Sequence, residues 1–265
     1  MPRYRLTVEY DGGPFVGWQR QANGPSVQEA LEEAVFRFCG ERTTVHGAGR
    51  TDAGVHALGQ VAHVELQRVA VAATLRDAIN FHLKPAPIAV LEAAPAADDF
   101  HARFSARARE YVYRILDRPS PPTIDRDRVW WLPHPLDVDA MARAAKVLVG
   151  HHDFTSFRST LCQAETPLKT LDRLDVRREG AEIRVTARAR SFLHNPMRVL
   201  TGTLKLVGEG RWRTADVERA LAARDRTRAG QTAPACGLYL LSVEYDEPAD
   251  AAQEDMVPAD IHPGG

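Results

Sequence analysis

The chain has 265 residues, 44% hydrophobic and 26% charged. That gives room for one large or two small domains with real cores, and the balance is that of a globular rather than a disordered or fibrous chain. Cys39, Cys162 and Cys236 are odd in number and far apart, which argues against a disulfide framework and offers no Cys-x-x-Cys zinc spacing. The formal net charge is −1, yet seven acidic residues and no Lys or Arg follow Arg228, so residues 1–228 hold all 34 basic residues against 28 acidic, a formal +6 that permits RNA binding without demonstrating it.

Met1 to Arg5 run straight into a strand pattern with no apolar leader, and no apolar run reaches membrane-spanning length, so a cytoplasmic location is expected. Tyr4, Leu6, Val8 and Tyr10 alternate with Arg5, Thr7 and Glu9, the period of a half-buried strand, and Asp11-Gly12-Gly13-Pro14 turns the chain. An aromatic and polar loop, Phe15 to Arg20, follows. Ser26 and Glu29 form a capping-box pattern before a helix with Val27, Leu31, Ala34 and Phe38 on its apolar stripe, stopped by Gly40. Thr43 to His46 reads as a short strand and Gln60 to Leu66 as a longer one. Thr74 is placed as the cap of a second helix reaching Phe81, before Pro85 and Pro87, and Ile88 to Ala94 is a strand. The order is β-α-β-β-α-β.

The second half reads similarly. Tyr111 to Leu116 is a strand, and a Pro-rich connection carrying Trp130-Trp131 leads to a helix over Val138 to Val149. Leu171 to Val176 and Ile183 to Ala189 form a hairpin about Glu179-Gly180. Asn195 to Val207 is helical with Pro196 early, Val217 to Ala223 is a short helix, and Leu238 to Val243 is a last, apolar strand. Two similar halves joined by an apolar strand suggest a pseudo-twofold arrangement around a cleft. The expected division is 1–105 and 106–246, with 247–265 a disordered acidic tail.

The stretch with most chemical information is His46-Gly47-Ala48-Gly49-Arg50-Thr51-Asp52-Ala53-Gly54-Val55-His56-Ala57-Leu58-Gly59-Gln60-Val61. Its glycines bracket one Arg and one Asp. A phosphate-cradling loop is excluded: Asp52 stands where a glycine is wanted, no Gly-Lys-Ser/Thr follows, and the next segment reads as a strand. What remains is a carboxylate presented beside a guanidinium, with Arg50 expected to favour the ionised form of Asp52. The structural alternative is a Gly-rich turn with a surface ion pair, usually of small energetic weight. His56/His63 and His151-His152 offer no third ligand at a metal-site spacing, so structural histidines and no metal are expected.

Residues 49–57 resemble the Gly-Arg-Thr-Asp-Ala-Gly-Val-His-Ala signature of the tRNA pseudouridine synthase A family. Other blocks are similar and in order: Tyr10-Asp11-Gly12 with Gly17-Trp18-Gln19, Ser26 to Glu29, Asp99 to Ser105, His152 to Phe157, and Gly237 to Leu240. The resemblance covers about residues 4–245. It implies an α+β fold of two ferredoxin-like halves joined by a mixed, mainly antiparallel sheet with a central active-site cleft, in a homodimer. It implies conversion of uridine to pseudouridine at positions 38 to 40 of the tRNA anticodon arm.

In that family the Asp is the catalytic residue, which maps to Asp52. Breaking C1′–N1 and rejoining through C5 oxidises and reduces nothing, so no cofactor is expected; a carboxylate near C1′ is needed as nucleophile or charge stabiliser. Covalent attack and assisted elimination to a glycal both remain open. Arg50 would position Asp52 or fill the gap left by an extruded base. The Arg-Tyr-x-Tyr block makes Tyr111 the active-site tyrosine, stacking on the target base. Glu110 departs from the basic residue common there. Ser191 to Arg198 resembles the family's Phe-Leu-His-His-Met-Val-Arg block, departing at Asn195-Pro196-Met197. By that match Arg198 pairs with the catalytic carboxylate and Gly202 allows a close helix approach. Two rivals are a non-catalytic RNA-binding module and a nucleoside hydrolase using Asp52, although a glycosidase wants two carboxylates and the loop offers one.

Overall fold

The structure, a computed structural model, describes residues 1–159, 166–193 and 195–246. The expected disordered tail, Cys162 and His194 lie outside these residues.

The strict alternation at the N-terminus makes β1 (Arg3–Tyr10), with Tyr4, Leu6, Val8 and Tyr10 buried. Ser26 caps α1 (Val27–Cys39), its Oγ accepting the Glu29 N–H at 3.2 Å, and Gly40 closes the helix at φ 74°. The strand expected over Thr43 to His46 shrinks to β2 (His46–Gly47), because the Val45 N–H donates to the Glu32 carboxylate and Thr43 Oγ1 to the Glu65 carbonyl. β3 (His56–Glu65) starts at His56 rather than Gln60. α2 (Ala72–Leu83) also starts early: Val71 occupies the cap position with no side-chain bond, so Thr74 lies inside the helix. Burial of Leu75, Ile79 and Leu83 outweighs the missing cap there. β4 (Ile88–Ala96) ends this run.

β5 (Ala108–Asp117) follows, and Trp130–Leu132, expected as connection, forms β6 parallel to it. The expected helix over Val138 to Val149 is α3 (Val138–Ala145) tightening into a 3-10 turn over Lys146–Leu148. β7 (Gly150–Asp153) and β8 (Leu168–Leu171) form a separate two-stranded sheet absent from the sequence reading; it takes up Leu171, so the expected hairpin starts later, as β9 (Arg173–Glu179) and β10 (Glu182–Ala189). α4 (Pro196–Gly208), α5 (Thr214–Ala223) and β11 (Leu238–Glu244) complete the described chain.

The main sheet runs β4-β1-β3-β11-β5-β10-β9, with β2 on β3 and β6 on β5. Both β1-α1-β2-β3-α2-β4 and β5-α3-β9-β10-α4-β11 follow β-α-β-β-α-β. Each lays its strands in the spatial order fourth, first, third, second. This is the expected α+β fold with ferredoxin-like halves. The pairings are antiparallel except β3 with β11 and β5 with β6.

The free edge of β3 is divided. His63 and Ala62 pair with β2, while His56 and Ala57 pair with Tyr239 and Leu240 of β11. β11 therefore joins the two halves into one sheet, and one large apolar cluster packs against it, from Leu6 and Leu31 to Ile115, Met141 and Leu204, with a small second one of Ala48, Val61 and Ala102. Among the described residues no helix is long and apolar enough to cross a membrane.

Gly202 sits where α4 touches the chain after α5, and a Cβ there would stand 1.9 Å from the Gln231 carbonyl oxygen. The close approach expected at this position is present. Neither atom belongs to a flexible side chain, so Gly202→Ala is expected to cost about 3 kcal/mol, read as a lowered urea midpoint with unchanged slope.

Candidate active site

The Asp52 loop is fixed from below by β3 and β1. The Ala48 N–H donates to the Val61 carbonyl at 2.7 Å. The fully buried Gln60 amide then clasps Gly49 from both sides, donating to its carbonyl at 2.7 Å and accepting its N–H at 3.2 Å. Thr51 turns inward, with Oγ1 2.8 Å from the Tyr10 hydroxyl, and its carbonyl accepts the Trp18 N–H at 3.0 Å. Gly47 lets the loop lie on Trp18: a Cβ there would be 2.5 Å from the indole ring. With its neighbours tied on both sides, Asp52 projects with 29% of its side chain exposed.

Arg198 comes to it across the cleft from the first turn of α4. Its Nη1 stands 3.9 Å from Asp52 Oδ2, an ion-pair distance too long for a hydrogen bond. The guanidinium is anchored by Nε donating to the Ala233 carbonyl at 2.7 Å and Nη1 to Asn195 Oδ1 at 3.2 Å. Asn195 holds φ 64° and Pro196 begins the helix, so the Asn-Pro departure supplies a left-handed entry and a preset first turn.

Arg50 is a correction. It is exposed and makes no ion pair with Asp52 among the described residues, where Arg198 comes within ion-pair distance of that carboxylate. Two residues apart on a pinned stretch, Arg50 faces solvent, and the counter-charge arrives from another element. Of the two arginines expected near Asp52, Arg198 is the one within ion-pair distance.

Tyr111 lies on β5, opposite Ala187 of β10 and Leu240 of β11, so it stands at the seam of the second half. Its ring meets Phe192 edge-on at 5.0 Å, and its hydroxyl lies under Gly49, 3.5 Å from where a Cβ would be. Burial pushes the phenol up to about 12; Arg109 pulls against this and the Asp52 carboxylate adds to it. Tyr111 is therefore a neutral phenol at physiological pH. Because its folded value is raised, its contribution to stability is complete below about pH 10, the ordinary tyrosine value, and is lost as pH rises towards about 12. Urea midpoints are expected to fall over that window, and Tyr111→Phe to fall less. Tyr10, Tyr113 and Tyr245, also raised by burial, account for the remainder.

Two residues that sequence reasoning passed over organise the site. Gln60 is one. The other is Arg109, 9% exposed, whose guanidinium donates to the carbonyls of Ala48 (2.8 Å), Arg103 (2.8 Å) and Arg190 (2.5 Å). Burial lowers its pKa from the ordinary arginine value. Its place two residues before Tyr111 on one strand face was the available signal. Glu110, the departure in that block, is taken up by an ion pair with Arg173. His56 accepts the Gly12 N–H at 3.0 Å and stacks on Tyr239, and His63 accepts the Ala102 N–H at 3.1 Å, both structural uses. Among the described residues no three His, Cys, Asp or Glu side chains are grouped to hold a metal ion.

A partly exposed carboxylate, an anchored guanidinium beside it and a buried neutral phenol close enough to feel its charge make a set of groups able to stabilise positive charge at a carbon. A sequence profile described as tRNA pseudouridine synthase matches residues 6–105 and 144–246. A protein of Rhodospirillum centenum named tRNA pseudouridine synthase A is 61% identical over 245 residues, covering 92% of this chain and 100% of the relative. One of the same name from Paramagnetospirillum magneticum is 60% identical over 245 residues, covering 92% of this chain and 96% of its own length. With the Gly-Arg-Thr-Asp loop set against the tyrosine strand and this agreement along nearly all of it, the chain belongs to the tRNA pseudouridine synthase family.

Proposed function

We propose that the protein isomerises uridine to pseudouridine in tRNA, at positions 38 to 40 of the anticodon arm, with Asp52 as the catalytic carboxylate. The observation that carries the reading is Asp52 held 3.9 Å from Arg198 over the buried Tyr111. The reaction breaks C1′–N1, turns the uracil, forms C1′–C5, and moves a proton from C5 to N1. Asp52 supplies negative charge at C1′ when the glycosidic bond opens, by attack or by assisting elimination. Arg198 holds that carboxylate in place. Tyr111 gives the detached base a flat, uncharged wall, and its neutral hydroxyl can hold or pass a proton. Arg50, exposed two residues from Asp52, serves the RNA rather than the carboxylate, entering the gap left when the target is flipped from a paired stem.

In this reading residues 1–105 carry the aspartate loop and 106–246 bring Tyr111 and Arg198, with the cleft between them. The molecule works as a homodimer in the cytoplasm. Light scattering at twice the 29.3 kDa chain mass is the expected result, and a monomer at working concentration removes the dimer.

Nucleoside analysis of a treated tRNA tests the function. Pseudouridine at 38, 39 or 40, with no free uracil, is expected. Free uracil would instead indicate a hydrolase, and tight binding without product an RNA-binding module. tRNA affinity should also fall steeply with salt, since phosphate contacts release counterions.

A further inference from the structure

We propose that the turn from Asp99 to Ser105 is an RNA contact in which Phe104 and Arg103 form a platform for an unpaired base flanking the target uridine. This rests on the tRNA reading above. Phe104 is 75% exposed. A single exposed apolar side chain is ordinary, and Val69 at 84% and Ile124 at 87% are equally open. What sets Phe104 apart is how firmly it is presented. Its ring lies 4.3 Å from His101 at a 37° tilt, and the Arg103 guanidinium is 5.8 Å from its centroid.

The turn beneath is tied at nearly every residue. His101 Nδ1 accepts the Arg103 N–H at 3.1 Å, and Ser105 Oγ accepts the His101 N–H at 2.9 Å. The Ala102 N–H donates to His63 Nδ1 at 3.1 Å, while its carbonyl accepts the Tyr245 hydroxyl at 2.6 Å. A turn already ordered in this way loses little freedom on binding, so an aromatic face held open on it is preorganised for a flat partner.

Its position points to the same partner. One guanidinium, Arg109, bonds both the Arg103 carbonyl and the Ala48 carbonyl, each at 2.8 Å. The platform is therefore braced to the loop that carries Asp52. Arg109 and Tyr111 share one face of β5, a spacing of roughly 7 Å along the strand, so the platform adjoins the target pocket. The exposed arginines Arg103, Arg190 and Arg50 outnumber Asp98 and Asp99 at the start of the turn. Stacking on an aromatic face beside arginine is a sequence-tolerant way to hold a single-stranded base.

Filter binding of the full chain to a tRNA transcript at fixed salt tests this, with wild type, Phe104→Ala, Phe104→Trp and Val69→Ala. Loss of one stacked base is expected to weaken Phe104→Ala roughly 5- to 150-fold. Phe104→Trp should restore affinity, and Val69→Ala should stay within about twofold of wild type. An affinity for Phe104→Ala within twofold of wild type overturns the proposal. So does a fall in particle mass by light scattering that accounts for the weaker binding, since Phe104 then faces a second copy of the chain. Tritium release from C5-labelled uridine, run on the same samples, separates the two readings. Binding that depends on Phe104 without release from wild type removes the isomerase and keeps the RNA platform; release from wild type with a silent Phe104→Ala does the reverse.

Discussion

Asp52→Asn is expected to bind tRNA and to release no measurable tritium from C5-labelled uridine, a loss of about 10⁴-fold or more in single-turnover rate. The amide keeps the shape of the carboxylate but cannot attack or stabilise charge at C1′. The loop should survive the change, because its ties run through neighbours: Gln60 to Gly49, Tyr10 to Thr51, and the Trp18 N–H to the Thr51 carbonyl. The pair lost with Arg198 is long and partly solvated, at 3.9 Å with 18% and 29% of the side chains exposed. Such a pair contributes at most about 1 kcal/mol. Activity and stability should therefore separate almost completely. Asp52→Glu should be intermediate, since a displacement of about 1 Å can cost roughly 100-fold. Turnover by Asp52→Asn within tenfold of wild type would remove the carboxylate from the mechanism.

Arg109→Met is expected to damage both properties together. Three backbone carbonyls, of Ala48, Arg103 and Arg190, share its guanidinium. Charge-assisted bonds contribute about 1.5–3 kcal/mol each, and relief from burying the charge offsets part of the sum, leaving a cost of about 3 kcal/mol. The Ala48 end of the Asp52 loop would lose its anchor to β5, and a shift of about 1 Å there predicts a further fall of roughly 100-fold in kcat. Lysine keeps the charge but not the planar fork, so Arg109→Lys should recover some stability and little activity. Urea midpoints with single-turnover rates on the same preparations read both. Full stability and full rate in Arg109→Met would mean that the three segments hold their positions without it.

The strands and helices with strict periodicity were legible in the sequence, β1 and α1 above all, because one face decides their burial. Asp52, Tyr111 and Arg198 were legible only through blocks that resemble a family, and the structure brings these three together. Arg50 next to Asp52 suggested an ion pair that does not form: adjacency along the chain does not fix direction when the backbone between is clamped. The β7–β8 sheet was missed since four-residue strands carry too little alternation to register. Thr74 looked like a cap by residue type, but packing of Leu75, Ile79 and Leu83 set the helix start. Gln60 and Arg109 work through contacts 11 and 61 residues away in the chain, to Gly49 and Ala48. No local pattern announces such a bond.

The divided edge of β3 has a bearing on how the protein is made. Its His56–Ala57 end is completed by Tyr239 and Leu240 of β11, the last of the described strands in chain order. On a ribosome adding about 5–20 residues per second, roughly 10–40 seconds pass between synthesis of the two partners. Throughout that interval the N-terminal half has an open strand edge, the kind of surface on which nascent chains aggregate. Translation that stalls before Leu238 leaves the edge uncovered, so such products are expected to be substrates for chaperones and proteases.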